Sequence, residues 1–194
     1  MTIVTPQIDV CSEFSDLYDM CDSVPITDSE SKSLVFVAGY VGFMMVTNKV
    51  ECSLCKSELL TDNNLQVDLV EEQTTYLADI DRGGLKWPSD LLVEAVTQMF
   101  LIFKCIISEQ FEAKFLSLGN HRSVLFELFT MRLNVCGLLE GKCICGVSLS
   151  QLLALTMSAV ANIFLNNYSK RAADKQVKTT DKGKRKLSTL TKKF

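Results

Sequence analysis

The chain has 194 residues, of which 47% are hydrophobic and 22% are charged; it is long enough for one domain with its own core. The net charge of −3 is unevenly distributed, because residues 169–194 contribute +8 and residues 1–168 carry the remaining −11. An acidic body argues against nucleic-acid binding there and assigns any attraction to phosphate to the C-terminal tail. The chain also lacks a Gly-x-x-x-x-Gly-Lys-Ser/Thr sequence, which excludes a standard nucleotide cradle.

Residues 1–32 are predicted to be an acidic, weakly ordered segment. The sequence also allows a short amphipathic helix within it. Residues 1–31 hold seven Asp or Glu side chains and no Lys or Arg, and Pro6 and Pro25 interrupt them. No basic stretch followed by an apolar run marks a secretory signal. We therefore expect the eight cysteines to be reduced thiols in an intracellular compartment, where some are free to bind a metal.

Residues 33–48 are almost continuously apolar, which predicts a buried helix. Gly39 and Gly42 are three residues apart and would share one helix face, where another backbone could come close. Two buried strands are the alternative, since the segment is rich in Val, Phe and Tyr.

The Cys52-x-x-Cys55 pair has the spacing at which two thiolates grip one zinc ion. Two further ligands are needed, and Cys143 and Cys145 lie in a glycine-flanked loop that can bend around a metal. The single residue between them is tighter than the usual gap of two to four. Cys136 and His121, the only histidine, are the alternative ligands. The sequence thus predicts a structural zinc, against the simpler interpretation of free thiols.

Arg82-Gly83-Gly84 must form a loop, because adjacent glycines interrupt both helix and strand. The nearby carboxylates of Asp79 and Asp81 are one local pair, whereas two-metal nucleases need several carboxylates that converge from separate elements. No catalytic site is expected from them. A nucleophilic cysteine at 105 or 136 is the least favoured alternative.

The C-terminal half is predicted to be helical, with apolar residues spaced three and four apart. Ser89 caps a helix to Ile106, a short helix covers 109–118, Asn120 caps one to about Gly137, and Ser148 or Ser150 caps the last. The expected fold class is mostly α, a small zinc-stapled domain of about five to six helices. Residues 33–168 form this domain, and residues 169–194 form a disordered basic tail.

Two features of the C-terminal region point beyond the core. Residues 143–169 contain no charged side chain and could span a bilayer by length, but their many Ser, Thr, Asn and Gln residues favour a packed helix over a membrane anchor. The tail also contains a basic cluster, which consists of Lys182, Lys184, Arg185 and Lys186. Such a cluster is typical of a nuclear import signal or a weak, salt-sensitive contact to nucleic acid.

An ordered set of motifs resembles the C-terminal region of P-element-type DNA transposases, a group that often carries an N-terminal THAP domain. The strongest are Phe36-Val-Ala-Gly-Tyr-Val41, Cys52-x-x-Cys55 and Asp81-Arg-Gly-Gly-Leu-x-Trp-Pro-Ser89. The weaker ones are His121-Arg, Met131-Arg-Leu-Asn134, Cys145-Gly and Asn162-Ile-Phe-Leu-Asn-Asn167. In that family this region is a mostly helical appendage behind a metal-dependent Asp/Asp/Glu catalytic domain.

The resemblance implies a transposase-derived fragment without catalytic activity, because this chain shows no counterpart of the catalytic, DNA-binding or nucleotide-binding parts. We expect a nuclear protein that pairs with a transposase or with itself through apolar helices, touches DNA weakly through its tail and represses the parent enzyme. A helical interaction module unrelated to transposition and a membrane-anchored protein are the alternatives. No small-molecule substrate is expected.

Overall fold

The computed structural model describes residues 13–61, 87–141, 143 and 145–191, with side chains described as far as Asp174. Within these ranges the chain is helical with one short two-stranded pairing, which confirms the predicted mostly α class. The elements are α1 (Ser15–Ser23), α2 (Asp28–Asn48), α3 (Ser53–Leu59), β1 (Leu60–Thr61), β2 (Trp87–Pro88), α4 (Asp90–Ile106), α5 (Glu112–Ser117), α6 (His121–Val135) and α7 (Leu149–Thr191).

Helix α4 is the centre of the core, since α1, α2, α3 and α6 all pack against it. Its apolar residues recur every three or four positions and are fully buried, as the sequence predicts. They are Leu92, Ala95, Val96, Met99, Ile102 and Ile106. The strands pair in antiparallel fashion, with Leu60 opposite Pro88, so the segment after α3 is held beside the start of α4.

Helix α2 confirms the prediction of a buried helix over residues 33–48 and rules out the two-strand alternative. One face lies in the core, and Gly42 makes room there for side chains rather than for another backbone. A Cβ atom at Gly42 would lie 2.7 Å from Leu60 Cδ2 and 2.8 Å from Leu92 Cδ2. The missing side chain therefore lets α2, β1 and α4 pack together.

Three predicted helix caps are present. The Ser89 hydroxyl accepts the Leu92 N–H at 3.2 Å and donates to the Glu58 carbonyl at 2.6 Å, which ties α4 to α3. The Asn120 side chain accepts the Ser123 N–H, and the Ser148 hydroxyl accepts the Gln151 N–H. Each cap satisfies a backbone donor that the first turn leaves free.

The terminal segments contain more helix than predicted. Helix α1 is a short helix of the kind that the sequence left open in the acidic segment, and α2 begins at Asp28 instead of residue 33, because Thr27 and Glu30 form a capping box. Residues 1–12 of that segment lie outside the described part.

Helix α7 continues through Thr191, so the backbone of most of the basic tail is helical where disorder was predicted. Residues 192–194 are outside the described part, as are residues 62–86 with Asp79, Asp81 and the Arg-Gly-Gly loop. The division into segments 1–32, 33–168 and 169–194 stays a prediction.

Contacts along the chain define two units, Met1–Ala161 and Asn162–Phe194. The first contains α1–α6, both strands and the start of α7. The second contains the remainder of α7. Within Leu149–Asp174, α7 contains an 18-residue window with a mean hydropathy of 1.4, long and apolar enough to cross a membrane, and 39% of that window is buried; the core helix of a soluble protein can pass the same test.

Candidate metal centre

Cys52 and Cys55 lie at the start of α3, on the chain that leaves α2. Cys52 is the N-cap residue of α3, and Cys55 is in its first turn. Cys55 is 2% exposed, whereas Cys52 is half-buried. The x-x spacing within one helical turn places both thiols on the same side of the helix start.

Cys143 and Cys145 are presented by a tight turn between α6 and α7. The Cys143 carbonyl accepts the Gly146 N–H at 2.7 Å, and the Cys143 N–H donates to the Val147 carbonyl at 2.8 Å. Gly146 has a φ of 91°, a left-handed conformation that favours glycine. This turn explains how two cysteines with one residue between them can both face α3, which the spacing alone made doubtful.

The two segments meet although ninety residues separate their closest thiols. Cys55 Sγ lies 3.2 Å from Cys145 Sγ, and the sulfur atoms of Cys52, Cys55 and Cys145 are all within 4.8 Å of one another. Cys143 is buried close to this group, but its sulfur is not one of the three that lie within 4.8 Å of one another. We call these four residues the cysteine cluster. It joins the start of α3 to the segment that enters α7.

The cluster suppresses ionisation of its most buried thiol. The hydrogen bond with Cys145, then burial, then hydrogen bonds with Cys143 and Cys52 raise the pKa of Cys55 above its ordinary value. Thiolates packed this closely repel each other and are poorly solvated. A bound cation is the usual means by which such a site becomes ionised.

The donor set fits one tetrahedral metal ion. With Zn–S bonds of about 2.3 Å, adjacent sulfurs in a tetrahedral zinc site are about 3.8 Å apart. The separations in the cluster, 3.2 Å for one pair and at most 4.8 Å within the group of three, bracket that value. An iron–sulfur cluster fits less well, because its thiolates bind different iron atoms and stand farther apart. The cysteine cluster could therefore hold a metal ion.

The alternative ligands are placed differently. The His121 ring lies at the start of α6, with its centroid 4.8 Å from that of Phe115, and is not one of the grouped ligands. Cys136 is the exposed C-cap residue of α6. Gly137 follows in a left-handed conformation, and the Leu138 N–H donates to the Leu133 carbonyl, as in a Schellman motif. Cys136 thus has a local structural explanation, whereas the Nε2 atom of His121 is buried without a hydrogen-bond partner among the described residues.

A second pair of thiols, Cys21 and Cys105, lies in the core and has no motif in the sequence. Cys21 of α1 and Cys105 of α4 are each 1% exposed, and the interaction with Cys105, followed by burial, raises the pKa of Cys21. The buried Arg132 is nearby; its Nε donates to Gln98 at 2.7 Å and its Nη2 to Asp22 at 2.7 Å. Neither cysteine follows a motif, and only the tertiary packing of α1, α4 and α6 brings them to one arginine.

The predicted nucleic-acid residues, Lys182, Lys184, Arg185 and Lys186, lie in the helical backbone of α7, beyond the last residue whose side chain is described. No protein-family model, curated protein or solved structure matches the chain. The resemblance to P-element-type transposases therefore remains a prediction from the motifs.

Proposed function

We propose that the protein is a non-catalytic binding module whose helical domain is stapled by one structural zinc ion on Cys52, Cys55, Cys143 and Cys145. The observation that carries this is the convergence of thiols from two remote segments, with Cys55 Sγ 3.2 Å from Cys145 Sγ. Four cysteines and no open position are typical of structural zinc sites, whereas catalytic zinc sites keep a position for water.

The role of the zinc would be to fix elements that are short and poorly anchored by themselves. Helix α3 has seven residues, and β1 and β2 have two each. Such short pieces are marginal without tertiary support. A metal that joins α3 to the segment before α7 would supply this support.

The wider function rests on the transposase-like motifs. As a fragment without a catalytic domain, the module would bind a parent transposase or another copy of itself, touch DNA through its basic tail and act as a repressor in the nucleus. Apolar side chains on the surface, including Phe36, Tyr40 and Phe43 at 41–47% exposure, support a role in protein–protein contact.

Metal content of cysteine variants tests the proposed site. We expect one zinc per purified wild-type chain, and loss of tight zinc binding in Cys55→Ser and Cys145→Ser. Cys136→Ser is the matched control, because Cys136 is exposed at the end of α6, and it should keep its zinc. Zinc retained by Cys145→Ser, or lost equally from all three variants, would contradict this ligand set.

Repression has its own test. Co-expression of this chain with an active P-element-type transposase should reduce excision of a reporter element, and Cys145→Ser should abolish the reduction. Normal excision in the presence of the folded, zinc-loaded wild-type chain would refute the repressor role and favour an interaction module unrelated to transposition.

A further inference from the structure

Helix α2 carries a continuous exposed line along the side that faces away from the core. We call it the α2 stripe; it consists of Ser29, Ser33, Phe36, Tyr40, Phe43 and Thr47. Steps of four and three residues alternate along it, so the six side chains follow one face of the helix. Phe36, Tyr40 and Phe43 are 42%, 47% and 41% exposed. Three adjacent aromatic side chains on one exposed line are typical of an interaction site.

The stripe is a fixed surface, because the opposite side of α2 is anchored in the core. That side holds the buried residues Leu34, Val35, Ala38, Val41, Gly42 and Met45. At the start of α2, Glu30 pairs with Lys104 of α4 at 2.9 Å. At its end, the N–H of the buried Val50 donates to the Met45 carbonyl. A partner can therefore bind the stripe without the loss of conformational entropy that ordering a mobile helix would require.

The middle of α2 also carries no charge. Between Lys32 and Lys49 no Asp, Glu, Lys or Arg occurs, although residues 1–168 together carry −11. Two copies of such an acidic body repel each other over most of their surface. Contact at an uncharged, aromatic line meets the least electrostatic repulsion.

The spacing of the exposed residues allows the stripes of two copies to pair in antiparallel orientation. The steps of four, three, four, three and four residues read the same in both directions. Two antiparallel copies centred at residue 38 place Ser29 opposite Thr47, Ser33 opposite Phe43 and Phe36 opposite Tyr40. Small residues then face a large ring, and two aromatic pairs form at the centre.

The ends of α2 are complementary as well. The first turn contains the exposed Asp28, and the exposed Lys49 follows the last turn. An antiparallel pair brings Asp28 of one copy to the Lys49 end of the other, and it also sets the two helix dipoles in opposite directions.

We propose that the α2 stripe binds the same stripe of a second copy of this chain, antiparallel and across a two-fold axis. This deepens the proposed function, since it names the surface and the partner through which the zinc-stapled module would associate. A single helix pair, about 32 Å long for 21 residues, buries less than a standard interface. We therefore expect a weak dimer whose population depends on concentration.

The surface is tested by sedimentation velocity over a concentration series, with native mass spectrometry of the same samples. Wild type should dimerise, and Tyr40→Glu should weaken the dimer by more than about tenfold, because two carboxylates are then buried at the centre. Leu116→Glu is the matched control, since Leu116 is 48% exposed on α5, and it should dimerise like wild type. Circular dichroism should show equal helix content in all three.

The orientation is tested by two charge variants at the ends of the stripe. In the antiparallel pair residue 29 of one copy meets residue 47 of the other, so Ser29→Glu/Thr47→Lys forms two Glu–Lys pairs and should tighten the dimer by roughly threefold to fivefold. Ser29→Glu/Thr47→Glu forms like-charge pairs and should weaken it. A parallel pair would weaken in both variants.

A folded wild type that stays monomeric at all concentrations would overturn the proposal. So would equal effects of Tyr40→Glu and Leu116→Glu, or a weaker dimer in Ser29→Glu/Thr47→Lys. Native mass spectra report metal content and oligomeric state independently, so failure of the stripe can be distinguished from failure of the metal site. A zinc-loaded monomer refutes the stripe but not the metal site, and a metal-free dimer refutes the metal site but not the stripe.

Discussion

Glu30 shows how single side chains connect the helices of this domain. Its carboxylate accepts the Thr27 N–H at 2.9 Å and pairs with Lys104 at 2.9 Å, so it caps α2 and binds α4 at once. The Thr27 hydrogen bond, followed by the Lys104 contact, lowers the pKa of Glu30 below its usual range. The stabilisation from a carboxyl of lowered pKa is fully present above its unfolded pKa and is lost as the pH falls through the folded pKa.

Replacing Glu30 with Gln should therefore destabilise the protein in a pH-dependent way. Because the contact is partly exposed, we expect a loss of about 0.5–1 kcal/mol near neutral pH. The difference from wild type should shrink as the pH falls below about 4.5, as measured by urea unfolding of both proteins at each pH. Glu109→Gln, at an exposed position, should match wild type throughout. A difference that stays constant down to acidic pH would contradict the account.

Residue identity alone revealed most of the cysteine cluster but not its geometry. The Cys-x-x-Cys spacing predicted one half, and the glycines around Cys143 and Cys145 predicted a bendable loop. The sequence left Cys136 and His121 open as ligands, because ligand choice depends on which loops meet. The Cys21–Cys105 pair and the burial of Arg132 could not be predicted, since they arise from packing among three helices.

At the scale of elements, apolar periodicity and capping residues predicted α2, α4, α5, α6 and α7. These signals are local, so they survive in a single sequence. Helix α3 was not predicted, because seven residues around a metal motif give too short a pattern. The helical backbone of the tail was also not predicted, since a Lys- and Thr-rich stretch lacks an apolar face.

The basic cluster of α7 is expected to provide the contact to nucleic acid. Changing Lys182, Lys184, Arg185 and Lys186 together to Gln should abolish most retention of the protein on duplex DNA at low salt. Each phosphate contact contributes about 0.9 to the slope of log K against log salt, so the slope should fall by up to about 3.6 units.

Arg122→Gln is the control for this change, because it removes an exposed positive charge from the body rather than from α7. It should leave retention close to that of wild type. If both variants lose binding equally, a diffuse charge effect rather than the tail accounts for the contact.

At the scale of the whole molecule, the cysteine cluster is a long-range link. Helices α1, α2, α4 and α6 already share a buried core, so the domain does not consist of loops around a metal. The start of α3 and the turn at Gly146 carry the half-buried Cys52 and the exposed Cys145, so the cluster lies at the edge of that core. A zinc ion there would join chain segments about ninety residues apart, and binding to the folded state alone would add directly to its stability.

The most direct test of the zinc staple is native mass spectrometry with thermal unfolding, before and after treatment with a strong chelator. We predict one zinc per wild-type chain, removal of this zinc by the chelator, and a large fall in melting temperature that added zinc reverses. Cys136→Ser should behave like wild type. A chain that is purified without metal, or that keeps its melting temperature after the metal is removed, would contradict the zinc staple and leave helix packing as the source of stability.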